Sequence, residues 1–280
     1  MSAATTAAGA AADGTRGRAP GPRLLPHSAQ LTLRSVRSLI RQPAFAIMTV
    51  VQPAIWLLLF GQLFQSIVGI PGFSTGAGSY LEFLTPGVVM MTALFSSGWA
   101  GTVYIDDMSR GVMDRLLASP VSRGAMMIGT LAYQGLTTVV QTLMVFGIAL
   151  LAGARFPGGV GGVAVTVVAA VLISVVVAAL SNAMALLLRQ QEALIGISQF
   201  VVLPLQFVSS ALMDTRLAPS WLQTVARYNP VDWAVVAARQ ALRTGTDWSV
   251  VGTRLGLLAA AATVMTALAT RAFAAYQRSL

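Results

Sequence analysis

The feature that most constrains this chain is where charge is missing. No Asp, Glu or Arg occurs between Ala44 and Leu81, and the chain contains no Lys. Further uncharged stretches run from Phe83 to Ile105, from Gly124 to Ala154 and from Phe156 to Leu188. A helix needs roughly 20 mostly apolar residues to cross the hydrocarbon of a bilayer. A charge placed there costs about 2.5–3.5 kcal/mol on insertion scales. A soluble helical protein would instead carry a polar face on most of its helices. The vacancies therefore specify helices solvated by lipid. Only 10% of the residues are charged, against about a quarter in soluble domains.

These lengths predict an all-α polytopic membrane protein with six transmembrane helices. The spans fall at Ala44–Val68, Phe83–Ile105, Ala125–Gly153, Val160–Leu188, Ala193–Met213 and Val250–Thr270. The third and fourth are long enough to tilt or to extend beyond the lipid. All 18 basic residues are Arg, and placing the N-terminus in the cytoplasm puts twelve of them on that side. That satisfies the rule that short cytoplasmic loops are arginine-rich. An even number of spans returns the C-terminus to the cytoplasm. Arg216, Arg227, Arg239 and Arg243, ahead of the last span, run against the rule locally.

The segments between spans carry more information than the spans. Residues 1–27 are rich in Ala, Gly, Thr and Pro and are expected to form a flexible tail. No short apolar core of a signal peptide precedes Gln30. Arg34, Arg37 and Arg41 lie within about 60° of one another on a helical wheel. Ser28–Gln42 is then either an interfacial helix with arginines toward headgroups or a basic stop that only sets topology.

The loop spanning 106–124 combines Asp106, Asp107, Arg110, Asp114 and Arg115 with Val112, Met113, Leu116 and Leu117, which share one helical face. The two aspartates are expected at a helix start, where carboxylates are favoured, and Pro120 ends the pattern. This predicts a short helix with a protruding apolar face, resting on lipid, on its own protein or on another subunit.

The outer segment, 214–248, is too short and too charged for two more spans. Ser220 is expected to cap one short helix. Asn229-Pro230 breaks it, and a second helix runs from Val231 to Leu242. There Trp233, Val236, Ala237 and Leu242 are expected opposite Asp232, Arg239 and Arg243. Trp221, Tyr228, Trp233 and Trp248 are placed like interfacial anchors. The two helices are expected to dip into the outer leaflet. Within the spans, Gln52, Gln62, Gln134, Gln141, Asn182, Gln199 and Gln206 either pack between helices or line a pathway.

Several chemistries are excluded. His27 is the single histidine and Cys is absent, so neither a metal cluster nor a catalytic nucleophile with its base can be assembled. Without Lys there is no phosphate-binding Gly-x-x-x-x-Gly-Lys loop. Spans one and three to five hold no acid for proton relay. The basic N-terminal arm leads into lipid-length sequence and carries no interleaved aromatics, which argues against nucleic acid. What remains is a transport subunit powered by another protein, an ion-gradient-driven transporter or a non-transporting scaffold.

Four stretches, in order, carry a resemblance: Tyr80-Leu-Glu-Phe-Leu-Thr-Pro-Gly87, Gly111-Val-Met-Asp-Arg-Leu-Leu-Ala-Ser-Pro-Val-Ser-Arg123, Phe207-Val-Ser-Ser-Ala-Leu212 and Ala226-Arg-Tyr-Asn-Pro230. With the span layout they make residues 28–280 resemble the permease subunit of ABC-2 type exporters, particularly the daunorubicin-resistance efflux group. The resemblance implies the type V-like exporter fold and a second permease subunit, the same chain in a homodimer. It also implies two separate nucleotide-binding ATPase subunits that hold ATP and Mg, with no cofactor in this chain. It makes Asp107 and Arg110 to Leu117 the coupling contact with that ATPase. Trp221, Tyr228, Asn229, Pro230 and Trp233 would belong to short reentrant helices near the exit. The cargo would be a hydrophobic or amphipathic small molecule leaving through a bacterial plasma membrane.

Overall fold

The structure, a computed structural model, describes residues 43–63, 79–113, 123–212 and 218–278. These residues form α1 (Pro43–Leu63), α2 (Tyr80–Gly98), α3 (Thr102–Ser109), α4 (Arg123–Leu151), α5 (Gly159–Leu188), α6 (Gln191–Phe207), α7 (Ser220–Arg227), α8 (Pro230–Leu242) and α9 (Trp248–Arg278). No strand occurs among the described residues. Arg34, Arg37, Arg41, Asp114, Arg115, Leu116 and Leu117 lie outside them, as do the tail and most of the first connection.

Four described stretches are long and apolar enough to cross a membrane: Tyr80–Ser109, Met126–Leu151, Gly159–Leu188 and Trp248–Phe273. The uncharged α1 adds 21 residues and α6 adds 17. The ends of α4 and α5 fall within two residues of the lengths expected from charge vacancy. Two expectations are corrected. The second span is not one helix: α2 stops at Gly98, and α3 restarts at Thr102 and runs past Ile105 to Ser109. The fifth stops at Phe207 rather than Met213. Ser209 Oγ then donates to the Gln206 carbonyl at 2.6 Å and accepts from Ala211 N at 3.3 Å, closing a turn in place of helix.

The buried side chains form two separate cores stacked along the helices. The first joins Leu84, Met90, Leu94, Phe146, Ile173, Val235 and Leu258, from α2, α4, α5, α8 and α9. The second joins Tyr104, Met113, Met127, Leu186, Leu194 and Phe273, from α3, the start of α4, the ends of α5 and α9, and the start of α6. α4, α5, α6 and α9 pass from one core to the other as continuous helix. Along α2 and α3 the passage is the non-helical break.

Candidate functional site

The end of the molecule that carries α3 leads into the predicted coupling loop. Asp106 and Asp107 occupy the last turn of α3 and not a helix start. They sit beside its terminal carbonyls, the end where a carboxylate is disfavoured. The Ser109 hydroxyl and the Arg110 N–H both donate to the Asp106 carbonyl, at 2.9 and 3.1 Å. Gly111 then turns the chain with φ +64°, a left-handed angle that costs glycine nothing. Val112 and Met113 resume a helical turn. Met113 is 1% exposed and belongs to the second core. It does not protrude as expected; it anchors the start of the loop to the chain's own interior. Arg110 is exposed and Val112 partly so.

Three of the seven polar residues within the spans, Gln134, Gln141 and Asn182, knit helices together. Gln134 and Gln141 lie along α4 between its contributions to the two cores. Gln134 Nε2 donates to Ser96 Oγ at 3.0 Å, and Ser96 Oγ donates to Gln141 Oε1 at 3.1 Å, joining α4 to α2. Asn182 Nδ2 donates to Thr130 Oγ1 at 3.2 Å, and that oxygen lies 3.1 Å from the Tyr104 hydroxyl. This links α5, α4 and α3. Gln206 is buried, Gln199 partly buried, and Gln52 is exposed on α1. An apolar cleft between α5 and α6 is lined by Val177, Met184, Val202 and Leu205, with Gly98 and Ser181 on its wall.

The opposite end contains α7 and α8. α7 starts at Ser220 with Pro219 at the cap, so Ser220 does not cap it as expected. Trp221 and Tyr228 are 65% and 78% exposed, as befits side chains that anchor at an interface. Trp233 is not such an anchor: it is half-buried, and its Nε1 donates to the Arg227 carbonyl at 2.6 Å, closing α7 onto α8. Asn229 breaks α7 and also caps α8, with its Oδ1 accepting from Val231 N at 2.9 Å. Pro230 takes the first helical position, where its missing N–H is harmless.

Asp232 and Arg239 of α8 point inward, while Arg243, expected on the same face, is exposed at its end. Asn229 Nδ2 donates to the Leu205 and Val208 carbonyls at 2.6 and 2.7 Å. Asp232, 6% exposed, accepts from Ser210 N at 2.9 Å. Arg239 donates to the Ala211 carbonyl through Nη2 at 3.1 Å and to the Phe83 carbonyl through Nε at 3.3 Å. Its guanidinium also lies 3.7 Å from the centre of the Phe83 ring. The Tyr80 hydroxyl donates to the Leu212 carbonyl at 3.4 Å. Irregular backbone at membrane depth must be paired by protein, and these side chains pair much of residues 205–212. The sequence pattern set Asp232 and Arg239 opposite the apolar side chains of α8, but not against the backbone they pair.

The turn from α4 to α5 is fastened to the same end. Glu82 Oε1 accepts from Arg155 N at 3.0 Å, and Gly158 N donates to the Leu242 carbonyl at 3.0 Å. α9 starts behind Asp247. Hydrogen bonds from the Ser249 side chain and from the Val250 and Ser249 backbone hold the Asp247 carboxyl below the usual carboxylate range. Among the described residues no group of His, Asp or Glu is placed to hold a metal ion.

The comparisons with known proteins agree on one family. The family model described as ABC-2 type transporter matches residues 28–242. The daunorubicin resistance ABC transporter permease protein DrrB1 of Streptomyces coeruleorubidus is 29% identical over 209 residues, covering 74% of this chain and 72% of that one. The protein named transport permease ycf38 in Cyanophora paradoxa is 31% identical over 212 residues, 75% of this chain and 71% of that one. A permease named for doxorubicin resistance, DrrC of Mycobacterium tuberculosis, is 24% identical over 208 residues, 74% of this chain and 75% of that one.

Proposed function

Because the chain belongs to the ABC-2 type transporter family, we propose that it exports a hydrophobic or amphipathic, antibiotic-like small molecule, as one of two identical permease subunits served by two ATPase subunits. The observation that supports this reading is the match over residues 28–242, together with relatives named for daunorubicin and doxorubicin resistance. The subunit itself performs no chemistry; ATP and Mg belong to the ATPase, which supplies the energy of hydrolysis. The end with α3 faces the cytoplasm of a plasma membrane, with both termini on that side. The end with α7 and α8 then lies at the outer leaflet, where Trp221 and Tyr228 meet headgroups. The domain comprises residues 28–280, with 1–27 as a tail.

Coupling follows from the second core. Docking of an ATPase on the loop can transmit work only if it favours one permease conformation over another. Val112, Leu116 and Leu117 form the contact, Asp107, Arg110, Asp114 and Arg115 orient it, and Met113 carries its displacement into the protein. Arg34, Arg37 and Arg41 hold an interfacial helix against anionic headgroups. Gln52, which is exposed, and Gln199, which is partly buried, face the pathway.

Two measurements test this. Leu116→Asp should abolish transport and ATPase co-purification while leaving membrane insertion intact; unchanged transport and co-purification would remove the coupling assignment. Because the chain has no Cys, Gly111→Cys supplies a unique label. A membrane-impermeant maleimide should reach it only from the cytoplasmic side, and labelling from outside would invert the topology.

A further inference from the structure

We infer that the Ser181 hydroxyl positions α3 for coupling, by holding both sides of the bend between α2 and α3 against α5, so that a displacement of α3 passes to α5. This rests on the reading that the loop beyond Met113 receives the ATPase. At the break, Ala100 N donates to the Ser97 carbonyl at 3.1 Å and Thr102 N to the Trp99 carbonyl at 3.0 Å. Both bonds are one residue tighter than α-helical. They leave the Gly98 carbonyl and the Gly101 N–H without helical partners, and both residues are buried. One side chain serves both: Ser181 Oγ donates to the Gly98 carbonyl at 2.7 Å and accepts from Gly101 N at 3.0 Å. Ser181 is 2% exposed, so no solvent stands ready to replace it, and unpaired backbone in such surroundings is strongly disfavoured.

A second tie lies beside the first. Asn182 Nδ2 and the Tyr104 hydroxyl meet on Thr130 Oγ1, at 3.2 and 3.1 Å, which joins α3 to α5 and α4. The Tyr104 ring lies edge-on to Phe273 of α9. From Tyr104 to Met113 the chain therefore belongs to the second core, whereas α2 contributes only to the first. A push on the loop is passed from α3 to α5, which also packs against α2 in the first core. Without the hydroxyl, the break recovers its bonds by straightening, with Thr102 N returning to the Gly98 carbonyl. Straightening lifts α3 off α5.

The test uses the full-length chain, which lacks Cys, with spin labels on Val103→Cys and Leu187→Cys, exposed positions on α3 and α5 (39% and 71%), diluted with unlabelled chain so that only the distance within one chain is read. Distances are measured alone and with co-purified ATPase and a non-hydrolysable ATP analogue. The original chain should give one narrow distribution that nucleotide leaves in place. Ser181→Ala should broaden or shift it and lower ATPase-driven export, and Ser181→Thr, which keeps the hydroxyl, should restore both. A narrow, unshifted distribution in Ser181→Ala overturns the inference, as does a nucleotide-induced change in the original chain. Failure of any ATPase to co-purify with the original chain instead removes the functional reading, and the label distances still decide whether Ser181 holds α3 to α5.

Discussion

Asn229→Ala is expected to lower the thermal unfolding midpoint and the yield of monodisperse detergent-solubilised protein more than removal of any exposed side chain on α7. Asn229 is 5% exposed and makes three hydrogen bonds, two to the Leu205 and Val208 carbonyls and one from Val231 N. Each buried carbonyl left unpaired costs roughly 1–3 kcal/mol, and loss of an N-cap costs about 1 kcal/mol. Asn229→Asp separates these contributions. It keeps the cap but puts a carboxylate against two carbonyls, so it should not rescue stability. A midpoint for Asn229→Asp equal to that of the original chain would show that the two donor bonds contribute little.

Gly87→Ala should produce the second large loss. A Cβ at Gly87 would collide with the carbonyl of Ala211. That contact is backbone on backbone, so no side chain can swing aside. The same carbonyl accepts from Arg239, whose guanidinium covers the Phe83 ring. Moving it disturbs α2, the segment after α6 and α8 together. Overpacking a close contact costs typically about 1–3 kcal/mol. Gly147→Ala is the matched control. It lies within α4, nothing stands within 4 Å of its added Cβ, and the change should be neutral or stabilising by up to about 1 kcal/mol. Equal midpoints for the two variants would mean that α2 does not need this close approach.

The span layout was legible because lipid strongly disfavours charge over long stretches. That is why the ends of α4 and α5 could be placed from the positions of Arg123, Arg155 and Arg189. The break after Gly98 was not legible. Glycine is ordinary in membrane helices, and the residue that makes this break stable, Ser181, lies far along the chain on α5. The orientation of α8 was misread for a related reason. Amphipathic patterning assumes water on the polar side, but α8 is covered by α5, α9 and α2, and its polar residues serve neighbouring backbone. The glutamines divided by location. Those midway along α4 had partners within reach on α2, while Gln52 on α1 did not turn inward. Only the fold could distinguish them.

The separation of the apolar interior into two clusters has an evolutionary corollary. Side chains at the two ends of the bundle can vary largely in separate compartments, with Val175 and Met265, which pack against both, as the shared boundary.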